Sequence, residues 1–187
     1  SELTDFAGLK LRGPSRPATL LLEKLGATPI GMPVPAFPEA LARGVVDGGV
    51  ITWEMSPSLK LDELTDSHTD VAGDRSLYNL YFIWGMNRDA YESLPDAHRE
   101  ALDSSVSEAL DHYLENYGKL LARWDEVLEE KQVQKVMISK EEIAKFREVA
   151  GAPIHAAWIE EMTAQGLPAQ ELYDLVQETL AKAKASN

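Results

Sequence analysis

Three cations stand in a stretch that holds no carboxylate. The chain carries 31 acidic side chains, yet none lies between Asp5 and Glu23, where Lys10, Arg12 and Arg16 occur. Arg12 falls at the end of a short β-rich run and Arg16 at the start of a helical one. Both are places that border the ligand crevice of an open α/β sheet. A helix N-terminus adds unpaired N–H groups and partial positive charge, so the spacing fits an anion site. The opposing reading is that all three are ordinary solvated cations balanced by acids elsewhere. Lys10 alternates onto the same side as Arg12 and reads as solvated.

A second group is Asp66, His68 and Asp70. On a strand these share one face and could form a His–carboxylate pair for proton transfer; the alternative is a polar edge between Leu64 and Val71. The four histidines, His68, His98, His112 and His155, show no metal-ligand spacing. No nucleophile elbow, phosphate loop or dinucleotide fingerprint occurs, so no cofactor and no metal are expected. Trp53-Glu54 follows a β-rich run, where an indole could line a pocket or simply enter the core.

The elements that must hold these residues follow from local signals. Lys10-Leu11-Arg12 predicts a strand stopped at Gly13-Pro14. Pro17, with Ser15 or Arg16 as cap, opens a helix that Leu20, Leu21, Leu22 and Leu25 carry to Gly26. Pro29 to Pro33 predicts a second strand, Pro38 to Arg43 a short helix ended by Gly44, and Val45 to Thr52 a third strand with a turn inside it. This alternation is the pattern of a parallel sheet covered by helices. Tyr78 to Met86 reads as the most apolar strand of the chain. Beyond Asn87 the chain turns helical. No proline interrupts Asp96 to Lys131, which predicts a helix about 54 Å long at 1.5 Å per residue, with Gly118 as a candidate bend. Val133 to Ile138 predicts a strand, Ser139 to Glu142 a capping box opening a helix around Ile143 to Val149, and Pro168 the start of the last helix.

Composition excludes several classes. The chain has 187 residues, 44% of them apolar, which is enough for a core. Its formal charge of -13 repels phosphate backbones, so nucleic acid is a poor partner. No apolar run approaches the roughly 20 residues needed to span a bilayer, so no membrane insertion is expected. Absence of cysteine excludes disulfides and thiolate chemistry. The opening Ser1-Glu2-Leu3-Thr4 has no leader character, as expected of a processed product or a fragment. The charge is uneven as well: residues 1–75 hold 7 basic and 11 acidic side chains, residues 76–187 hold 11 and 20.

Asp5-Phe-Ala-Gly-Leu-Lys-Leu-Arg12-Gly-Pro14 resembles the D-x-x-G-x-K-x-R-x-P segment of the DctP-type solute-binding proteins of TRAP transporters. Leu25-Gly-Ala-Thr-Pro-Ile-Gly-Met-Pro33, then Ala40-Leu-Ala-Arg-Gly-Val-Val-Asp-Gly48, is similar to that family's next two elements. Phe82-Ile-Trp-Gly-Met-Asn87 and Leu94-Pro95 continue the match in order. The resemblance implies an α/β, type II periplasmic binding-protein-like fold. In such a fold two lobes flank a cleft, and a long helix spans both. It further implies a periplasmic receptor, not an enzyme, that binds a small organic acid and delivers it to the membrane permease subunits of a TRAP transporter. Arg12 would then pair with the ligand carboxylate, a role suited to a guanidinium's parallel N–H donors and permanent charge.

The family's aromatic after the second strand is replaced here by Val34, and the Asn of its D-G-x-E-N-P run by Ile51, followed by Thr52-Trp53. These departures point to a small or apolar carboxylate, with Arg16, Met32, Val34, Ile51 and Trp53 as candidate liners beside Arg12. The family's first lobe has no counterpart before Asp5, so the fold is expected to be incomplete. Residues 1–77 would form part of the ligand-binding lobe, 78–117 a hinge-crossing strand and helix, and 118–187 the rest of the long helix and the terminal helices. Exposed sheet edges in such a piece would favour a homodimer. Two competing classes are a small α/β enzyme using His68 and Asp70, and a helical interaction module with the long helix as seam.

Overall fold

A computed structural model describes residues 2–73, 76–78, 83 and 85–185. The expected strand Tyr78 to Met86 lies mostly outside the described residues. The chain divides into two compact units. One comprises Ser1–Val50, Val71–Gly73 and Met137–Asn187; the other comprises Ile51–Asp70 and Asp74–Val136.

The first unit is built on strand β1 (Lys10–Gly13), helix α1 (Arg16–Lys24), strand β2 (Thr28–Gly31), helix α2 (Phe37–Ala42) and strand β3 (Gly48–Gly49). The strands order β2-β1-β3, and both pairings are parallel. Such a β-α-β-α-β path needs its crossover helices to lie over the sheet. The start and stop of α1 follow the local chemistry: Ser15 Oγ accepts from the Ala18 N–H at 3.4 Å, and the chain leaves through Gly26 at φ +94°. That left-handed angle carries no steric penalty at glycine, which explains the sharp end of α1.

Alternation along β1 sends its side chains to opposite faces. Leu11 joins Leu22 and Ala27 in a buried cluster, with Phe6 and Val50 packed against it. Arg12 takes the other face. The third strand is shorter than its sequence predicts. Only Gly48 and Gly49 pair with β1, and Val50 closes the ladder by donating its N–H to Arg12 O at 3.0 Å. Two adjacent glycines have no side chains with which to extend a sheet face, so pairing ends where the backbone turns.

The first unit also holds α5 (Lys140–Phe146), α6 (Ala152–Ala164) and α7 (Ala169–Ala185). Ser139 caps α5 by accepting from the Glu142 N–H at 3.1 Å. The return arm of the expected capping box is redirected: the Glu142 carboxylate accepts from the Leu3 N–H at 2.7 Å and from Lys145 Nζ at 2.6 Å. Lys145 and then that N–H hold the Glu142 carboxyl below its ordinary range. Phe146 packs edge-on against Phe6 at 5.3 Å. A wider turn at Arg147–Gly151 joins α5 to α6, a helix the sequence pattern did not announce. On α7, Ala169 is buried while Leu172, Leu175, Val176 and Leu180 face solvent.

The second unit contains α3 (Arg88–Glu92) and α4 (Asp96–Glu130). Helix α4 runs 35 residues without a break, so Gly118 does not bend it out of helical hydrogen bonding. Trp124 and Leu128 are its buried residues. Strands β4 (Ser67–Val71) and β5 (Gln134–Ile138) pair with each other.

Candidate functional site

Arg12 sits on the central strand of the three-stranded sheet and is only 2% exposed. A buried guanidinium must have its N–H groups satisfied, because an ion in a dry interior without partners is strongly unfavourable. Here Nε donates to Met32 O at 3.1 Å and Nη1 donates to Val50 O at 2.7 Å. Its Cζ lies 5.6 Å from the centre of the Phe37 ring. The two carbonyls come from the segments that follow β2 and β3, so the sheet order itself delivers them to Arg12. Met32 therefore meets Arg12 through its backbone, and Val34 lies two residues further on, half-buried in a short helical turn.

Arg16 stands apart from this arrangement. It is the first residue of α1, is exposed, and forms a two-pronged pair with Glu161 of α6, with Nη1 and Nη2 at 3.2 and 3.1 Å from the two carboxylate oxygens. The pairing raises its already high pKa, so it stays charged. Lys10 is exposed, as expected of a solvated cation, although alternation puts it on the side of the buried Arg12.

Ile51 and Trp53 belong to the second unit, where Trp53 opens a short helical turn. Its ring stacks on His68 at 5.7 Å, and Lys135 Nζ lies 5.5 Å from its centre. His68 meets the edge of Trp124 at 5.5 Å, is 8% exposed, and has Nε2 2.9 Å from Thr65 Oγ1. The Thr65 hydroxyl donates to Leu61 O at 2.7 Å, so its oxygen is left to accept the His68 N–H. This is a core histidine packed between indoles. Asp66 is exposed and Asp70 half-buried, so the three residues do not form one buried catalytic face.

Burial pushes the His68 pKa down, opposed in part by the Leu61 carbonyl and the Asp62 charge. His155 is also pushed down, by burial and by Arg147. An unfolded histidine takes up its proton near pH 6.5, whereas the folded ring resists until a lower pH. The unfolded state thus binds more protons in that window, and stability falls as pH drops below about 6.5. Thermal unfolding between pH 7.5 and 5 should show this slope, and His68→Asn should flatten it. A variant with the parental slope would remove His68 from the account.

A hollow of about 420 Å³ opens in the second unit against Pro57, Leu120, Trp124 and Val127. Two of its lining cations are engaged by neighbouring acids, Lys131 with Asp62 and Glu63, and Arg123 with Glu126 and Glu130. It has no charge arrangement comparable to that around Arg12.

The central strand of this parallel sheet thus carries a buried arginine held by carbonyls of the segments that follow its two neighbours. The chain belongs to the family of bacterial extracellular solute-binding proteins, family 7, which it matches over residues 1–161. Proteins of this family are solute-binding receptors rather than enzymes.

Solved structures carry the same fold. A TRAP solute-binding protein from a marine metagenome, specific for aromatic acid ligands and seen with metahydroxyphenylacetate, is 34% identical with a TM-score of 0.86. The match covers 97% of this chain and 57% of that one. A TRAP solute-binding protein from Rhodoferax ferrireducens, seen with copurified benzoate, is 32% identical with a TM-score of 0.86, over 100% of this chain and 58% of that one. A third, from Desulfovibrio salexigens with bound orotic acid, has a TM-score of 0.79 at 22% identity, covering 97% and 57%. At that identity it shows a shared fold alone. The chain thus spans little more than half the length of these relatives, an incomplete version of their α/β fold. Among the described residues, no helix is long and apolar enough to cross a membrane.

Proposed function

We propose that this chain is the Arg12-bearing part of a periplasmic receptor that binds a small aromatic carboxylate and hands it to the permease of a TRAP transporter. The observation that carries the reading is the Arg12 guanidinium. It is held in place by the Met32 and Val50 carbonyls, both neutral acceptors, on the sheet of a chain 32–34% identical to two aromatic-acid binders.

The chemistry supports it. A carboxylate arriving at Nη1 competes with a neutral carbonyl, and a charge-assisted, two-pronged bond is about twice as strong as a neutral one. Met32 and Val34, on the segment that supplies one of the carbonyls to Arg12, offer apolar surface suited to an aromatic ring in place of polyhydroxylated ligand surface. Arg16 contributes positive potential in this reading rather than a direct bond, because Glu161 already holds both of its terminal nitrogens.

The test is isothermal calorimetry of benzoate, 3-hydroxybenzoate and benzamide against the protein. Binding of the two acids and not of the neutral amide is the expected result. Equal affinity for benzamide would show that no cation reads the carboxylate.

A further inference from the structure

We propose that Phe37, given room by Gly49, is the residue that positions the Arg12 guanidinium, and so sets the direction in which its donors point. The proposal rests on the reading of Arg12 as the carboxylate partner and adds a residue to it. Phe37 is 2% exposed, opens α2, and places its ring 5.6 Å from Arg12 Cζ. A cation over a desolvated aromatic face is attracted by the ring quadrupole without losing its charge.

Two features fix the ring. The segment Pro33-Val34-Pro35-Ala36-Phe37-Pro38 carries three prolines, each of which restricts its own φ and the residue before it, so the approach to α2 has little freedom. On the other side, Gly49 pairs with Arg12 across the sheet. A Cβ at position 49 would lie 2.7 Å from Arg12 Cβ and 2.7 Å from both Cε2 and Cζ of Phe37. Real side chains do not tolerate such distances, so the ring and the arginine stem share the space that a missing side chain leaves. The glycine in β3 is thus required for close approach, and the weakness of that strand is its consequence.

Nuclear magnetic resonance of the Arg12 side chain tests this directly, with the Nε–H signal assigned by its loss in Arg12→Lys. In the parent the signal should be displaced by the ring current and exchange slowly with solvent. Phe37→Leu should return it towards the ordinary arginine position, speed its exchange at least tenfold, and weaken benzoate about ten- to thirtyfold. Phe37→Tyr, which keeps the ring, should restore all three. Gly49→Ala approaches the same contact from the other side and should displace the signal even if Phe37→Leu does not fold. An unmoved Nε–H signal in Phe37→Leu, or in Gly49→Ala, overturns the proposal. Should Arg12→Lys keep full benzoate affinity, the carboxylate reading fails instead, and the Nε–H signal still decides the role of Phe37.

Discussion

Replacing Arg12 by lysine is expected to weaken benzoate binding by roughly 30-fold, and replacing it by alanine by up to roughly 4,000-fold, the range that corresponds to about 2–5 kcal/mol for truncating one partner of a buried charge pair. Lysine keeps the charge but loses the planar fork, and its ammonium cannot reproduce donors fixed by Met32 O and Val50 O. The alanine variant also removes those donors from two half-buried carbonyls and takes the cation from the Phe37 ring. It should therefore lose stability as well as affinity. The two effects separate in one pair of measurements: calorimetry for the ligand and thermal unfolding without it. Unchanged affinity in a folded Arg12→Lys protein would move the carboxylate to another cation, and Arg16 is poorly placed to take it while Glu161 holds both its prongs.

Leu22→Ala is expected to be the most damaging single truncation in the first unit. Leu22 is fully buried and ties α1 to the sheet through Leu11 and Ala27. Buried Leu→Ala changes cost about 2–5 kcal/mol, the lost transfer energy plus the cavity left behind. The upper part of that range applies here because β1, with a neighbour on each side, cannot shift to fill the gap without breaking ladder bonds. A total stability of roughly 5–15 kcal/mol is usual, so much of the margin would go. Urea unfolding should show a lower midpoint with an unchanged slope. A loss below about 1 kcal/mol would mean that the α1–sheet packing is looser than the structure shows.

The sequence made some of this plain because the signals were local. Ser15, Pro17 and Gly26 mark both ends of α1 within a dozen residues, and the uninterrupted run from Asp96 marks α4. The parallel sheet was also legible, since short apolar strands alternating with helices leave few other topologies. Arg12 stood out through the absence of nearby acids and through a family motif. Phe37 did not, because its value depends on Gly49 lying opposite Arg12, a register that no short window contains. His68 shows the same limit. Alternation placed it on a face with Asp66 and Asp70. What decided its role were Trp53 and Trp124, which lie far along the chain. Helix α6 was missed for a local reason. Gly151 and Pro153 look like a break, yet Pro153 falls in the first turn of the helix, where a missing N–H is harmless.

The assignment of residues to the two units has a kinetic consequence. The chain changes unit four times, after Val50, Asp70, Gly73 and Val136, so neither unit is a continuous stretch. Along the chain the sheet that carries Arg12 comes before α5, α6 and α7, which belong to the same unit. Contacts of such wide sequence separation are slow to close, because loop entropy is lost before any packing is gained. Phe6, for one, gains its partner Phe146 only when two stretches far apart in sequence meet. Until that meeting the apolar residues of the unit stay exposed, and the same surface that later packs is open to aggregation.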